Sequence, residues 1–454
     1  MPNIKEGQKD MRKISVLLLC MLLTSALALT GCVVPGPTSG SGGENTGADV
    51  ATPQRKEKST LKIEAWGIET DPNSVIIKEA VALYNEKYKD TAEISVEFTE
   101  QEQFKTKIAT LMAANDDPDL FNTWAAGFLK PYVESGKVYS LNEALNQDQV
   151  WKNRYVGGIF GGFTFDGKIY AAPNTQTVVC LFYNKDIFNQ YGIKEPKTFE
   201  DLKTICATLN KNGITPFALG NKAPWVGAMY AEMIANRVGG SEPFNKVVSG
   251  EGKWLDPSFV EAGNKMYELV QLNAFPEGFN ALDNDPSRAN FLEGKAAMHV
   301  MGSWAIQQLT NSESPLQGKV DVCKFPAVEG GKGDPNAWLG QPDQSFAIGS
   351  SCKDKGAAVN FLKLMSEPDT QLKFAAEGNL LATTAALDPA KANPVAVKVS
   401  ELQKEMTEMF LFYDVALGPT IGNEFNNAIQ AITAGTSSEE ALQILQDFTE
   451  ANQE

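Results

Sequence analysis

The sequence is short of histidine, and this shortage excludes several kinds of catalytic site. Among 454 residues there is one histidine, His299, so a zinc centre built on several histidine ligands is excluded. A Ser-His-Asp triad would have to use His299. That residue lies in the apolar run AAMHVM, which is typical of a buried strand. We therefore predict that His299 is packed in the core rather than active in catalysis.

Motifs for nucleotide, nucleophile and metal chemistry are missing as well. The sequence contains no GxxxxGK[ST] phosphate loop, no GxGxxG, no GxSxG and no CxxC. Asp283-Asn284-Asp285 resembles the start of a calcium loop, but Arg288 and Gly294 stand where such a loop needs Gly and Glu. We predict no cofactor, no metal site and no enzyme. Acidic pairs are too frequent to single out the two carboxylates of a surface glycoside hydrolase or lyase, so that alternative stays open.

Positive charge is also scarce. Lys and Arg number 40 against 56 Asp and Glu, which gives a formal net charge of −16. Nucleic-acid binding needs clustered Lys and Arg for phosphate contacts, so no nucleic-acid partner is predicted. The 24 Phe, 11 Tyr and 7 Trp argue against disorder of the whole chain. Its length is sufficient for two or three domains.

The N-terminus carries the longest apolar run. Residues 14–29 (ISVLLLCMLLTSALAL) follow several basic residues, and the run ends at Leu29, directly before Thr30-Gly31-Cys32. This pattern predicts a signal peptide over residues 1–31, with the small residues before Cys32 resembling a lipobox whose cysteine is lipidated. Ordinary secretion with cleavage nearby is the alternative. Met11 is an alternative start, because the sequence from Met11 already reads as a complete signal opening.

The segment after the leader has the composition of a tether. Residues 32–58 are rich in Gly, Ser, Thr and Pro, and such a segment buries too little apolar surface to order itself. We predict a flexible tether there, with a plain disordered tail as the alternative. The folded body would then be held by lipid at the outer face of the bacterial cell membrane.

Four cysteines remain after the leader and the lipidated position. They are Cys180, Cys206, Cys323 and Cys352. Outside the cell disulfides can form, and four cysteines allow three full pairings between which the sequence does not choose. Because Cys180 and Cys206 lie in apolar runs, free buried thiols are an equal alternative.

Strand-like and helix-like patterns alternate along the body. Residues 61–66 and 92–98 alternate as strands do, and residues 73–89 and 102–114 have helical spacing. This alternation predicts an α/β fold with a parallel sheet. Further predicted strands are 119–121, 296–301, 319–324 and 346–349, and further predicted helices are 226–238, 258–272, 356–366, 396–409, 421–434 and 438–451.

Aromatic residues stand where predicted elements end. In an open α/β sheet, ligands bind beyond the carboxyl ends of the strands. Sugars offer flat C–H faces that stack on aromatic rings, so these residues predict a sugar site, with core packing as the alternative for each. Trp151 and Trp254 lack this setting and are predicted to be structural. The candidates are Trp66, Trp124, Trp225, Trp304, Trp338 (placed in a Gly/Pro-rich loop) and Tyr413.

Nine short segments stand in a fixed order along residues 60–450. They are DPDLF at 117–121, ESGKVYSL at 134–141, GKIYAAP at 167–173, LFYNKDIF at 181–188, PKTFEDL at 196–202, GITPF at 213–217, GKAAMHVMGSW at 294–304, AAVNFLKLM at 357–365 and GTSSEEAL at 435–442. By their order and spacing, these segments resemble the extracellular solute-binding lipoproteins of bacterial sugar ABC importers, the group that includes maltose-binding protein.

The resemblance implies a two-lobe, periplasmic-binding-protein-like (Venus-flytrap) fold with hinge strands between the lobes. The first lobe would comprise residues 60–178 and 346–391, and the second residues 179–345 and 392–454. It also implies an oligosaccharide ligand and, in the membrane, ABC permease subunits with a cytoplasmic ATPase. A monomer is expected. A sugar-sensing lipoprotein of the same fold is the remaining alternative.

The resemblance also implies particular site residues. Trp124, Trp225 and Trp304 fall at family aromatic positions, and Phe412-Tyr413 matches an aromatic pair near the last helices. Thr177 stands where maltose-binding protein has a sugar-bonding Glu, and Gly127 lies near an expected acidic position, so maltose itself is not implied. Asn174, Gln176 and Asp343 are polar candidates from their place near the predicted hinge.

Overall fold

The computed structural model describes residues 58–385 and 392–452. The predicted signal peptide, the lipidation site Cys32 and all of the predicted tether except Lys58 lie outside the described residues. None of the helices in the described part has the length and apolar character needed to cross a membrane.

The described residues contain fourteen strands. They are β1 Ser59–Trp66, β2 Ala92–Thr99, β3 Leu120–Thr123, β4 Thr164–Phe165, β5 Lys168–Ile169, β6 Ala171–Ala172, β7 Thr175–Asn184, β8 Thr215–Phe217, β9 Ala296–Gly302, β10 Val320–Cys323, β11 Ala337–Asp343, β12 Ser345–Ile348, β13 Leu380–Leu381 and β14 Glu408–Phe410.

Seventeen α-helices alternate with these strands in the described residues. They are α1 Pro72–Lys87, α2 Gln101–Ala113, α3 Lys130–Glu134, α4 Asn142–Gln147, α5 Gln149–Lys152, α6 Lys185–Tyr191, α7 Phe199–Lys211, α8 Trp225–Gly239, α9 Glu242–Val248, α10 Pro257–Gln271, α11 Asn284–Leu292, α12 Ile306–Thr310, α13 Lys355–Met365, α14 Pro368–Ala376, α15 Pro394–Gln403, α16 Tyr413–Thr433 and α17 Ser438–Asn452. Short 3₁₀ turns occur at Ala126–Phe128, Gly161–Phe163, Phe279–Ala281 and Ser303–Ala305.

The first sheet has the order β2-β1-β3-β12-β6. Strands β1 and β2 pair in parallel from Ser59 opposite Ala92 to Trp66 opposite Thr99, and β3 is parallel to β1 on the other side. β12 and β6 extend the sheet with antiparallel pairs. The parallel sheet expected from the alternating pattern is therefore present, and its parallel strands end at the same edge.

The second sheet is built around the long strand β7, in the order β14-β11-β7-β9-β8. β7 pairs antiparallel with β9 and β11 along its length. β13 pairs with its first residues and β10 with its last. Nine of the ten residues of β7 (TQTVVCLFYN) are buried, and Gln176 is the one partly exposed residue. Such a strand is expected where both faces of a sheet are covered.

Three connections carry the chain between the sheets. The chain enters the second sheet between β6 and β7, returns to the first between β11 and β12, and passes to the second again between β12 and β13. Asn174, in the first connection, donates from Nδ2 to the backbone oxygen of Gln344, in the second, at 2.5 Å. Gln344 has a φ of 45°, which is uncommon for a residue other than glycine. The first two connections are thus joined to each other, while the predicted lobe boundaries remain predictions.

Three predicted elements differ from the structure. The helix expected over 396–409 ends at Gln403, and β14 follows it. The helix expected from residue 421 begins at Tyr413 and is kinked at Gly418, which has a φ of 78° and precedes Pro419. Proline cannot donate the helical hydrogen bond, so the helix is interrupted at this Gly-Pro pair and the regular pattern begins only after it. Trp338 lies in the strand β11, not in a loop.

The four cysteines of the body are free and buried. Burial raises the pKa of the thiols of Cys206, Cys323 and Cys352 to about 12, and it raises the pKa of Cys180 as well. Thiols in this state carry little thiolate at neutral pH and react slowly. Of the two alternatives left by the sequence, the structure has the free buried thiols.

The kink in α16 contacts the 3₁₀ turn Ala126–Phe128, which follows β3 of the first sheet. A Cβ atom added to Gly127 would lie 2.3 Å from the backbone nitrogen of Gly418 and 2.7 Å from the oxygen of Ala416. Gly127 therefore permits a backbone approach that no other residue allows, which explains a glycine where the family resemblance suggested an acidic residue.

Candidate functional site

A cavity of about 1000 Å³ opens between the two sheets. The first-sheet side contributes the end of β1 and the start of α2, and the second contributes β9, β11, and the starts of α8, α11 and α16. The wall combines six aromatic residues with many polar ones. Its aromatic members are Trp66, Trp124, Phe128, Trp225, Trp304 and Phe412.

We call Trp66, Phe104, Trp124 and Phe128 the first aromatic cluster. Trp66 ends β1 and Trp124 follows β3, so the two neighbouring parallel strands deliver their tryptophans to one edge of the sheet. The rings of Trp66 and Trp124 are stacked, with centroids 4.2 Å apart and planes at 12°. Phe104 meets both edge-on. The two tryptophans keep only 7% and 8% of their surface exposed.

We call Trp225, Trp304 and Phe412 the second aromatic cluster. Trp225 begins α8, and Asn221 fixes that turn by accepting at Oδ1 from the backbone nitrogen of Gly227 at 2.9 Å. Trp304 meets Trp225 edge-on at 6.1 Å and 61°, and Phe412 at 6.2 Å and 43°. Both tryptophans are half-buried. Because these rings meet at angles, they do not cover one another's faces as the stacked pair does.

A glycine fixes the position of Trp304. Its ring folds back over Gly302, where an added Cβ atom would lie 2.1 Å from Cζ3 of the ring. The GxW spacing in the sequence thus has a steric reason: the residue two before the tryptophan must lack a side chain.

The structure brings five of the ten sequence-predicted binding residues to the cavity. They are Trp66, Trp124, Trp225, Trp304 and Asp343.

The three polar candidates near the crossing are held by protein contacts instead. The Nδ2 group of Asn174 is engaged by Gln344, as described above. Gln176 donates from Nε2 to the oxygen of Leu381 at 3.1 Å, and the hydroxyls of Thr177 and Ser303 lie 3.1 Å apart. These contacts tie the start of β7 to β13 and to the turn after β9. None of the three candidates lines the cavity.

Trp338 and Tyr413 are buried away from the cavity wall. Trp338 is 3% exposed within β11. Tyr413 stacks on Phe244, with centroids 3.5 Å apart and planes at 6°. Because α16 begins at Tyr413, its ring turns into the core, whereas its neighbours Phe412 and Asp414 line the cavity. The aromatic pair at 412–413 therefore contributes one ring to the core and one to the cavity.

Glu232 is a cavity residue that the sequence did not reveal. It lies inside α8 with 1% exposure, and its Oε1 accepts from the backbone nitrogen of Tyr413 at 3.1 Å. Its Oε2 has no hydrogen-bond partner among the described residues. Burial first, and then the charge of Asp414, raises the pKa of the Glu232 carboxyl well above its usual range. A glutamate within a helix gives no sequence signal of this role.

Two further carboxyl groups of the cavity, those of Asp343 and Asp414, have a raised pKa. Burial raises the pKa of Asp343 to about 6, against the effect of the Gln344 N–H, which donates to its Oδ1 at 2.8 Å. Burial likewise raises the pKa of Asp414, although the charge of Lys105 and the amide of Asn426 oppose the rise. Near neutral pH these groups gain protons more readily than exposed aspartates do.

His299 lies at the cavity wall and is 1% exposed. Its Nδ1 is 2.9 Å from the backbone oxygen of Ala218, so Nδ1 carries the proton and Nε2 is an acceptor. Burial lowers the pKa of His299 to about 4, which keeps the ring neutral. The residue is packed, as the sequence indicates, and it also borders the cavity.

Unpartnered acceptors are concentrated at this cavity. Buried polar groups are nearly always hydrogen-bonded, yet five lining residues carry a buried polar atom without a partner in the described part of the chain. Aromatic rings beside acceptors that need donors suit a ligand rich in hydroxyl groups. The atoms are Glu232 Oε2, Asn284 Oδ1, His299 Nε2, Gln341 Oε1 and Gln344 Oε1.

The acidic run at 283–285 is engaged in ion pairs. Asp283 contacts Lys222 at 2.8 Å and Asp285 contacts Arg288 at 3.0 Å. Within residues 58–385 and 392–452, no group of three or more His, Cys, Asp or Glu side chains is arranged to hold a metal ion.

Comparison with known proteins identifies relatives of this chain. Residues 67–372 match the family described as "Bacterial extracellular solute-binding protein". A protein whose structure was solved in work on xylan utilization by the thermophilic bacterium Caldanaerobius polysaccharolyticus is 30% identical, with a TM-score of 0.81. The match covers 86% of this chain and 99% of that one, so the two-lobe fold is shared over the whole body.

Curated relatives match over shorter stretches. The melibiose/raffinose/stachyose-binding protein MelE of Bacillus subtilis is 24% identical over 75% of this chain and 76% of its own length. An uncharacterized ABC transporter extracellular-binding protein of Pyrococcus horikoshii is 29% identical, and this chain spans 45% of its length.

Proposed function

The chain belongs to the bacterial extracellular solute-binding proteins, and from that premise we propose that it captures an oligosaccharide in the cavity and delivers it to the permease of an ABC transporter. The observation that carries the proposal is the cavity wall, where six aromatic residues stand among five residues with unpartnered acceptor atoms. Relatives named for multiple sugars, for melibiose, raffinose and stachyose, and for maltotriose support the same ligand class.

The proposed ring and hydrogen-bond contacts with the sugar come from the second-sheet side of the cavity. Rings of the second aromatic cluster stack on the sugar faces, while Glu232, Gln341 and Asp343 form hydrogen bonds with the sugar hydroxyls. A ligand that touches both lobes favours the closed arrangement by its difference in affinity for closed over open protein. The crossing connections at Asn174 and Gln344 serve as the hinge.

The proposed partners follow from this mechanism. The closed, loaded protein docks on membrane permease subunits, and a cytoplasmic ATPase supplies the energy, in keeping with the lack of a phosphate-loop motif in this chain. The N-terminal lipid on Cys32 would hold the protein, as a monomer, at the outer face of the membrane. The hinge polar residues Asn174, Gln176 and Thr177 act through the closing motion rather than through direct contact.

A calorimetric and thermal-shift panel of di- to hexasaccharides tests the proposal. We expect at least one neutral oligosaccharide to raise the melting temperature and to be recovered chemically unchanged after incubation. Turnover of the sugar would show a glycoside hydrolase or lyase instead. A protein that binds sugar but is co-encoded with a sensor kinase in place of two permeases would be a sensing lipoprotein.

A further inference from the structure

His299 is the only histidine of the chain, and it has no direct role in the sugar contacts proposed above. It lies in β9, and along a strand every second side chain points to the same face of the sheet. His299 and Met301, two residues apart, both line the cavity, and Trp304 follows just beyond the end of the strand. The imidazole ring therefore stands on the cavity wall, in the strand that leads to the second aromatic cluster.

Contacts within the protein fix the orientation of this ring. Nδ1 of His299 lies 2.9 Å from the backbone oxygen of Ala218, and the backbone nitrogen of Ala218 donates to the oxygen of Met298 at 2.8 Å. Phe291, in α11, packs against the imidazole, with centroids 5.8 Å apart and planes at 31°. The ring is thus oriented before a ligand arrives, so binding need not order it.

The contact with Ala218 also determines what the other ring nitrogen can do. A carbonyl oxygen accepts hydrogen bonds and cannot donate them, so Nδ1 carries the proton and Nε2 is an acceptor. Nε2 is buried and has no hydrogen-bond partner among the described residues. Burial lowers the pKa of His299 to about 4, and the charge of Arg288 acts in the same direction, so the ring is uncharged at neutral pH and Nε2 keeps its lone pair.

A buried acceptor without a donor is unfavourable, and a bound hydroxyl group can remove that cost. The hydroxyls of a sugar point outward from the edge of its ring, so a ring stacked in the second aromatic cluster directs some of them at the neighbouring walls. Resting on the proposed function, we propose that Nε2 of His299 accepts a hydrogen bond from one hydroxyl of the bound sugar and so determines specificity. A sugar that lacks this hydroxyl, or carries an alkyl or acyl group on it, leaves Nε2 without a donor and binds more weakly.

Because the chain has one histidine, nitrogen NMR of the unaltered protein reads this bond directly. The protein is labelled with ¹⁵N in histidine and carries no histidine tag, and the probe is the tightest binder among xylo-, malto-, cello- and chito-oligosaccharides. We expect saturation with the probe at neutral pH to shift the Nε2 signal upfield, as for a neutral imidazole nitrogen that gains a hydrogen bond, with little change at Nδ1. An Nε2 signal that stays in place while the sugar binds would overturn the inference and leave sugar capture standing. Absence of binding by every sugar would overturn the proposed function and this inference with it.

Two substitutions at His299 separate recognition from packing. His299→Asn places an amide near the position of Nδ1 and keeps a donor for Ala218, but it has no atom at the position of Nε2. His299→Gln reaches the position of Nε2 and keeps an acceptor there, but it gives up the bond to Ala218. By calorimetry we expect His299→Asn to weaken binding of the probe sugar about tenfold. His299→Gln should bind it about threefold more tightly than His299→Asn does, although it loses the contact that holds the ring.

The control for these variants is Ser287→Ala. Ser287 Oγ is also buried without a partner in the described part of the chain, but Ser287 lies in α11 and does not line the cavity, so sugar affinity should be unchanged. If His299 only packs in the core, affinity would follow stability, and His299→Asn would bind the probe at least as tightly as His299→Gln. That order would overturn the inference, and the NMR measurement on the unaltered protein decides the matter if either variant fails to fold.

Discussion

The two aromatic clusters of the cavity use the same residue type in opposite ways. In the first, Trp66 and Trp124 stack on each other at 4.2 Å and retain less than a tenth of their surface. In the second, Trp225 and Trp304 meet edge-on and remain half-buried. In the first cluster the two tryptophan rings cover each other's faces, whereas in the second cluster ring faces remain uncovered and could contact a ligand. Position at the edge of a sheet therefore does not by itself leave a tryptophan with an uncovered ring face.

The largest expected effect is on stability, in the first cluster. Trp124→Ala removes the partner of Trp66 and opens a cavity beside Phe104, so it should lower the free energy of unfolding by about 4 kcal/mol. Denaturant unfolding with Trp124→Phe as the control measures this. If Trp124→Ala instead reduced sugar affinity with no loss of stability, the two clusters would not differ as their geometry indicates.

The next effect is on affinity, in the second cluster. Trp304→Ala and Trp225→Ala each remove a stacking face and should weaken binding of the best sugar by tenfold or more, about 1.4 kcal/mol, while the protein stays folded. Calorimetry on variants with an unchanged circular-dichroism spectrum measures this. Unchanged affinity in both variants would mean that the open ring faces are not used.

A smaller effect concerns the charge of Asp343, which ends β11 next to Gln344 in the connection between the two sheets. The folded-state pKa of Asp343 is about 6, above its usual value near 3.9, so the ionised form is penalised in the folded protein. This penalty is absent below pH 4, grows between pH 4 and 6, and is complete above about pH 7. The full shift corresponds to about 3 kcal/mol, but Asp343 is partly exposed and solvent screens its charge, so Asp343→Asn should stabilise the protein by about 1 kcal/mol more at pH 8 than at pH 4. Thermal unfolding at both values measures this, and a gain that is equal at the two pH values would contradict it.

The smallest effects are expected for aromatic residues outside both clusters. Tyr413→Phe keeps the ring that stacks on Phe244, and Trp338→Phe keeps an aromatic residue in β11. Because neither side chain lines the cavity, each variant should bind sugar within twofold of the unaltered protein by calorimetry. A tenfold loss in either would extend the binding surface beyond the second cluster.

The sequence predicted the features that depend on order and periodicity. Trp66 and Trp124 could be placed at one sheet edge because parallel strands end together, and Trp304 because it follows a strand within a GxW turn. Trp338 could not be placed, since its Gly- and Pro-rich surroundings resemble a loop and only pairing with β7 and β14 makes them a strand. The register of a pairing between distant segments leaves no local signal.

The polar half of the site was harder to predict. Glu232 has no sequence feature that separates it from a solvent-facing helical glutamate, and its role depends on Tyr413, which lies 181 residues away. The pair at 412–413 was recognised, but the choice of which ring enters the cavity depends on where α16 begins. The start at Tyr413 was not predicted, because the Gly418-Pro419 pair separates residues 413–417 from the helical pattern that follows.

The close backbone approach of Gly127 to Gly418 has a consequence for engineering. A single methyl group at Gly127 has no room in the arrangement seen here, so Gly127→Ala would act as a wedge that pushes the 3₁₀ turn away from the kinked helix. Neither glycine holds a side chain that could touch a sugar. The width of the cavity opening between the two sheets could thus be changed from a position that contributes no side chain to the cavity wall.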